Sequence, residues 1–447
     1  MVKRPTTPPG PRGLPLMGSL PMLARDTLGF FEGLAADYGD VVPFRVGGVR
    51  TWHVSHPDLV EDLLVRQKRS LEKDIVTHEL SSVLGQGLLT SEGATWKRQR
   101  RLIAPSFTPR HIAGYGDAMV RSTAEALPPV QEDRDIHEDF TRITLHIVLR
   151  TLFGMEPRGQ AAKVGDILDG LMASFEVENR TAWRLVPEWV PGRHRREVDR
   201  LTGELDTLIF ELIDATRRAD DPDRTDLLAV LLRARDDEGR AMGDQQLRDE
   251  VLTLFLAGHE TTALALSYAA YLLAEHPEHL ERLHQELDTL EGKPLTSRHA
   301  RQLPWLGAVV SETLRMYPPA WAVGRQVVSD AAVDGIDLPV GDQVVVCPWV
   351  MHRDPRWWTG PSRFRPERWL RGETDALPRF AYAPFGFGPR VCVGQHFAQM
   401  ELALVLGTLL QHRTLAAAPG YRPRLFPAVT LRARDGVRVH VRRRDTD

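Results

Sequence analysis

The run Phe385-Gly-Phe-Gly-Pro-Arg-Val-Cys-Val-Gly394 holds one of only two cysteines in this 447-residue chain, the other being Cys347. Two cysteines are too few for a disulfide framework and suit a reducing compartment in which a thiol stays free to bind metal. A lone cysteine is more often a small buried apolar residue. Here, however, Gly388 and Gly394 flank it closely, and glycine permits a positive φ or the close approach of another group, neither of which a structural cysteine needs. A turn of this kind can aim successive N–H groups at the sulfur and stabilise its charge. Arg390, two residues earlier, can offer a guanidinium to an acidic group. On its own the segment leaves a metal site and a structural turn about equally open.

Upstream, Ala257-Gly-His-Glu-Thr-Thr262 lies in a stretch, 244–276, with few helix breakers. The pattern predicts one long helix with Asp244 as N-cap and Pro277 as stop signal, spanning about 48 Å at ~1.5 Å per residue. Glu260 and Thr261 fall in its apolar middle, where an ionisable group is costly unless paired, hydrated or functional. A purely structural account also exists: Gly258 permits close packing, Thr261 bonds back to a carbonyl one turn earlier, and Glu260 finds a buried arginine. His259-Glu260 invites comparison with the H-E-x-x-H helix of zinc proteases, but position 263, where the second histidine must stand, is Ala.

Two further patterns are weak in isolation. Glu312-Thr-Leu-Arg315, followed by Met-Tyr-Pro-Pro319, puts a carboxylate and a guanidinium on one helical face, an arrangement that is common in surface salt bridges. Trp96 and Arg100 lie one turn apart, as in any amphipathic helix with a buried Trp and a solvated Arg.

Taken together and in this order, the four motifs resemble those of the cytochromes P450. That family's signature, F-x-x-G-x-R-x-C-x-G, is matched at Phe385, Gly388, Arg390, Cys392 and Gly394, and the likeness spans most of the chain. The resemblance implies a mainly α fold: a single domain over 1–447, with a large helical part, a small β-rich part drawn from about 16–70 and 320–447, and a proline-rich leader at 1–15. It implies haem b (iron protoporphyrin IX) with Cys392 as the metal ligand, whose thiolate pushes electron density onto the iron. Trp96, Arg100, Arg325, Phe385, Arg390 and Gly394 would complete the cofactor site, the arginines and Trp96 at the propionates. By the same analogy Glu260 and Thr261 relay protons. Glu312 and Arg315 are joined by Arg368, from Pro366-Glu-Arg-Trp369, in a structural triad beneath the Cys392 loop. Lys97, Arg98 and Arg101 would form a basic patch for an acidic electron donor.

The implied activity is a monooxygenase that hydroxylates or otherwise oxidises a lipophilic small molecule. It would use O2 and two electrons from NAD(P)H through a separate ferredoxin reductase and ferredoxin, since too few residues follow the cysteine motif for a reductase domain. Pocket walls are expected from residues 72–89, 171–183 and 320–323, with Leu254, Phe255, Ala257, Gly258 and Val323 among them. They are mainly apolar, favouring a terpenoid over a fatty acid, steroid or polyketide. The loop at 186–192 resembles the connection between the family's two lid helices, with Trp183 and Trp189 near the ligand. Rival readings are a peroxygenase, whose Arg-Pro in place of the acid and alcohol is absent here, and a haem carrier or gas sensor. A Cys/His hydrolase is disfavoured because nothing pairs with Cys392 at recognisable spacing.

The net charge of −3 argues against bulk attraction to nucleic acid. No run of ~20 apolar residues exists, so no membrane span is expected. The start, Met1-Val-Lys-Arg, leads into prolines rather than an apolar run, so a cytoplasmic enzyme is expected. Alternation predicts a hairpin of 41–46 and 50–54 around Gly47-Gly48, and another of 429–434 and 437–442 around Asp435-Gly436.

Overall fold

A computed structural model of the chain describes residues 8–156 and 193–444 and, between them, Val164, Gly165, Ile167, Gly170, Leu171 and Ser174. The 186–192 loop, Trp183, Trp189 and the first seven residues of the leader lie outside the described residues. Most of the described fold is helical, with small sheets at its margin.

Its axis is the helix Asp244–Glu275, 32 residues long. From Thr262 to Ala274 every side chain is buried, so this half reads as apolar all round and needs neighbours on all sides. The helices Ile136–Leu152, Arg193–Ala219, Pro304–Met316 and Gln395–His412 supply them. Leu264, Leu266 and Leu273 are at most 1% exposed, each worth roughly 1.5–3 kcal/mol relative to an exposed position. Asp244 is the first helical residue rather than the cap: Gly243 caps without a side chain, because the Asp244 carboxylate is taken by Arg217 at 2.5 Å. The stop falls where expected, with His276 turned out of the helical conformation (φ −129°, ψ 73°) ahead of Pro277.

A five-stranded sheet has the order β1-β2-β8-β5-β3. Its strands are β1 (Val41–Val46), β2 (Val49–Val54), β3 (Leu71–Lys73), β5 (Val323–Val327) and β8 (Gln343–Val346). The β1–β2 hairpin turns at Gly47, whose φ of +59° a side chain rarely adopts. The end of the proline-rich leader is tied to the fold: Leu14 bridges Gly18, and Gly18 in turn bridges Val46.

The second expected hairpin does not form. β11 (Leu431–Ala433) pairs with β10 (Leu425–Pro427), while β12 (Arg438–Arg443) is the centre of a sheet between β4 (Gln131–Asp135) and β9 (Arg413–Ala417). Asp135 explains the break. Its carboxylate accepts Val437 N–H at 2.8 Å and caps the helix Ile136–Leu152 through His137 N–H, drawing the chain after Gly436 away from β11. β3 and β4 also lie outside the two segments expected to supply the β-rich part. The remaining pair, β6 (Ala331–Val333) and β7 (Ile336–Leu338), is a separate small hairpin.

Candidate active site

Cys392 sits in a loop closed from within, its N–H donating to the Phe385 carbonyl at 2.9 Å and Val391 N–H to the Gly388 carbonyl at 3.1 Å. The glycines that the backbone needs are Gly386 (φ +82°) and Gly388 (φ +57°), and a Cβ on Gly388 would stand 2.7 Å from the Leu64 carbonyl oxygen. Gly394 has an ordinary φ and serves as N-cap of Gln395–His412, where a Cβ would meet only normal contacts. The Cys392 side chain is accessible although it sits deep in the protein. Burial raises its thiol pKa, and the Gly394 N–H and the Arg100 guanidinium pull the other way.

Around this loop gathers a surplus of positive charge. Arg390 pairs with Glu92, donates to the Ser91 carbonyl at 2.9 Å, and lays its guanidinium 4.0 Å from the centre of the Trp96 ring. Arg325 on β5 stands directly opposite Lys73 on β3, a like-charge cross-strand pair that is ordinarily unfavourable. Burial, then Arg325 and Arg390, push Lys73 down to about 7. Burial, then Arg390, push Arg325 down to about 10. Arg100 makes no hydrogen bond among the described residues, and burial lowers its pKa against the pull of Cys392. These four cations face two inner carboxylates, Glu92 and Asp74, with the exposed Glu72 at the margin. A soft sulfur donor beside partly buried, under-neutralised cations fits a haem: an iron for the sulfur and two propionates for the cations. Lys73 is the member that sequence reasoning missed, since only the cross-strand register brings it to Arg325.

The loop rests on a buried polar network. Both Glu312 oxygens are used: Arg315 binds them at 2.8 and 2.9 Å, Arg368 Nε at 3.1 Å, Trp369 Nε1 at 3.0 Å and Arg365 N–H at 3.0 Å. Glu312 and Arg315 are 0% exposed and Arg368 1%, so this is no surface salt bridge. Arg315 also donates to the carbonyls of His352, Pro361 and Arg363. His352, unremarked in the sequence, carries the network to the cysteine loop. Its Nε2 accepts Ala383 N–H at 2.9 Å, two residues before Phe385, while Nδ1 lies 3.2 Å from the Arg315 carbonyl. Burial holds its pKa near 3, so the ring is neutral and accepts at Nε2.

On the central helix, Thr261 donates to the Ala257 carbonyl at 2.7 Å, and both residues remain accessible. Helical spacing puts Leu254, Ala257, Gly258 and Thr261 on one face. Phe255 points from the other: it is 2% exposed and stacks on Phe153 at 4.2 Å. Gly258 admits Val148, whose Cγ2 would lie 3.0 Å from an added Cβ. Glu260 is buried and turns to β11, where its Oε1 accepts from Thr430 at 2.8 Å and from Arg432 at 2.6 Å. Val323, at the start of β5, is half-buried.

Residues 85–88 are pressed onto this helix. Asp249 accepts Gln86 N–H at 2.8 Å and Glu250 accepts Leu88 N–H at 2.9 Å, and a Cβ on Gly87 would collide with the Thr253 hydroxyl. Burial raises Glu250 to about 8. A carboxyl whose folded pKa lies above its unfolded value holds its proton more tightly when folded, so it costs stability as pH climbs from about 4.5 to about 8. Glu250→Gln should therefore flatten the decline in stability across that window, gaining on the order of 4 kcal/mol at its alkaline end. Urea denaturation at a series of pH values reads this directly; parallel curves for variant and parent would refute it.

The expected basic patch is largely neutralised. Arg98 is bound to Asp236 at 2.6 Å and Gln246 at 2.8 Å, and Arg101 pairs with Asp237. Lys97 stays exposed without an ion pair among the described residues.

The cytochrome P450 family model matches residues 8–432. A Mycobacterium tuberculosis (strain ATCC 25618 / H37Rv) protein provisionally named cytochrome P450 132 is 36% identical over 424 residues, 91% of this chain and 90% of its own length. Cyclooctatin synthase of Streptomyces melanosporofaciens is 35% identical, covering 95% of this chain and 93% of its own. Pentalenene oxygenase of Streptomyces avermitilis is 32% identical over 93% and 95%. No described helix is long and apolar enough to cross a membrane.

Proposed function

This chain belongs to the cytochrome P450 family and is a monooxygenase of it, and on that premise we propose that its substrate is a terpenoid. The observation that carries this is the likeness at about 35% identity to proteins whose names tie them to cyclooctatin and pentalenene. The accessible face of Ala257 and Thr261, with Leu254 beside it, is consistent with a hydrocarbon skeleton. Electrons are proposed to come from NAD(P)H through a ferredoxin reductase and a ferredoxin. With Arg98 and Arg101 committed to acids, Lys97 is the cation of that helix left for such a donor.

When bound through Cys392, haem supplies the chemistry that activates O2. Lys73, Arg100, Arg325 and Arg390 would hold its propionates, Trp96 fixing Arg390 from its ring face. Arg315, through His352 and Ala383, keeps the Cys392 loop in place. Thr261 presents a hydroxyl that can hold and pass a proton once it releases the Ala257 carbonyl. Glu260 is the proposed proton source behind it, and it must leave Arg432 and Thr430 to reach the Thr261 side.

Two measurements test these proposals. A panel of terpene hydrocarbons, fatty acids, steroids and polyketide lactones should give the spectral shift of water displacement for the terpenes; a shift with fatty acids alone would sink the substrate assignment. Thr261→Ala should keep its haem and lose product formation by on the order of 10²-fold. Undiminished turnover would remove Thr261 from the proton path and revive the peroxygenase.

A further inference from the structure

Far along the chain from the cysteine loop, the central helix hands over to the helix Pro277–Asp288, and three metal-binding side chains meet at the joint: His276, Glu278 and His279. One donor atom of each lies within 4.8 Å of the other two. His276 Nδ1 is 3.5 Å from Glu278 Oε1, and His279 Nδ1 is 3.6 Å from Glu367 Oε1.

The imidazoles are positioned by packing. The Phe364 ring lies 5.4 Å from each of them, and Trp305 lies 5.6 Å from His279. Trp305 Nε1 also donates to the His279 carbonyl at 3.1 Å, and His279 N–H donates to the His276 carbonyl at 3.0 Å. The rings are thus presented together before any ligand arrives, and the exposed Glu278 side chain is free to swing.

We propose that His276, Glu278 and His279 bind a divalent transition cation of the zinc or nickel type. Two imidazole nitrogens and one carboxylate are a donor set that zinc accepts, with water in the remaining position. Bonds of about 2.0–2.2 Å in a tetrahedron place donor atoms roughly 3.3–3.6 Å apart. The cluster therefore closes by at most about 1.5 Å, within the reach of a turning glutamate. The helix N-terminus opposes the cation, so the affinity is that of a surface chelate and not of a closed structural zinc site. Glu367, 3.6 Å from His279 Nδ1, is placed to become the carboxylate partner that orients a ligating histidine, and it belongs to the turn Pro366–Trp369 that also carries Arg368. An occupied site consequently ties the helix joint to the turn that supports the Glu312 network.

The test is calorimetric titration of untagged, haem-loaded, full-length protein with zinc chloride, alongside melting curves at rising zinc. One saturable site is expected, with a melting temperature that climbs with zinc concentration as mass action requires. Glu278→Gln, at an exposed position where folding is not at risk, should weaken binding at least ~10-fold, and Glu367→Gln by about the same through loss of ring orientation. His279→Ala should abolish it. Non-saturating uptake, or Glu278→Gln binding zinc as the parent does, overturns the proposal.

Discussion

Cys392→Ser is expected to fold normally and lose the oxygenase outright. The loop's closure runs through backbone groups, Cys392 N–H to Phe385 and Val391 N–H to Gly388, and a serine leaves both in place. What it removes is the soft donor. A hydroxyl does not ionise under these conditions and cannot push electron density onto an iron as a thiolate does. The reduced-plus-CO spectrum should lose its thiolate signature, and O2-dependent turnover should fall below detection, while far-ultraviolet circular dichroism stays that of the parent. A variant with an unaltered spectrum would remove Cys392 as the axial ligand and the oxygenase chemistry with it.

The second large effect is on stability. Glu312→Ala leaves two buried guanidiniums without their carboxylate, and the cost expected from breaking a buried pair is about 3–5 kcal/mol. The two arginines differ in what remains to them. Arg315 keeps the carbonyls of His352, Pro361 and Arg363. Arg368 keeps the Thr359 carbonyl and the Glu373 carboxylate at 3.9 Å, while its Nη2 has no hydrogen-bond partner among the described residues even in the parent. Trp369 Nε1 and Arg365 N–H lose their acceptor as well. Because the network reaches Ala383 through His352, haem retention should fall together with the denaturation midpoint. A loss below 1 kcal/mol by urea titration would mean that water replaces the carboxylate and that the network is not closed.

How much of this could be read beforehand follows from how local each signal is. The cysteine loop, the long helix and the E-x-x-R helix are written in consecutive residues, and their positions on the elements were legible. Partners set by tertiary contact were not. Arg432, 172 residues beyond Glu260 and only half-buried, supplies the arginine partner that the sequence left as an open alternative. Lys73 sits in a three-residue strand with no periodicity to find, and its place opposite Arg325 exists only in the register. Asp435-Gly436 carries the local chemistry of a tight hairpin, yet β12 goes to β4 and β9 because Asp135, some 300 residues earlier, claims Val437 N–H. Phe255 is next to Leu254 in sequence yet lies about 100° away around the helix, against Phe153. Arg98 and Arg101 counted as a patch until the 236–237 loop brought acids to both.

The facing of Lys73 and Arg325 across β3 and β5 has a bearing on how the molecule is assembled. Two cations zipped side by side repel the very pairing that closes the sheet's rim, and backbone bonds over only three residues resist them. A propionate held between them would turn that repulsion into a bridge. The short rim strand would then be held more firmly with the cofactor bound than by its three-residue backbone pairing alone.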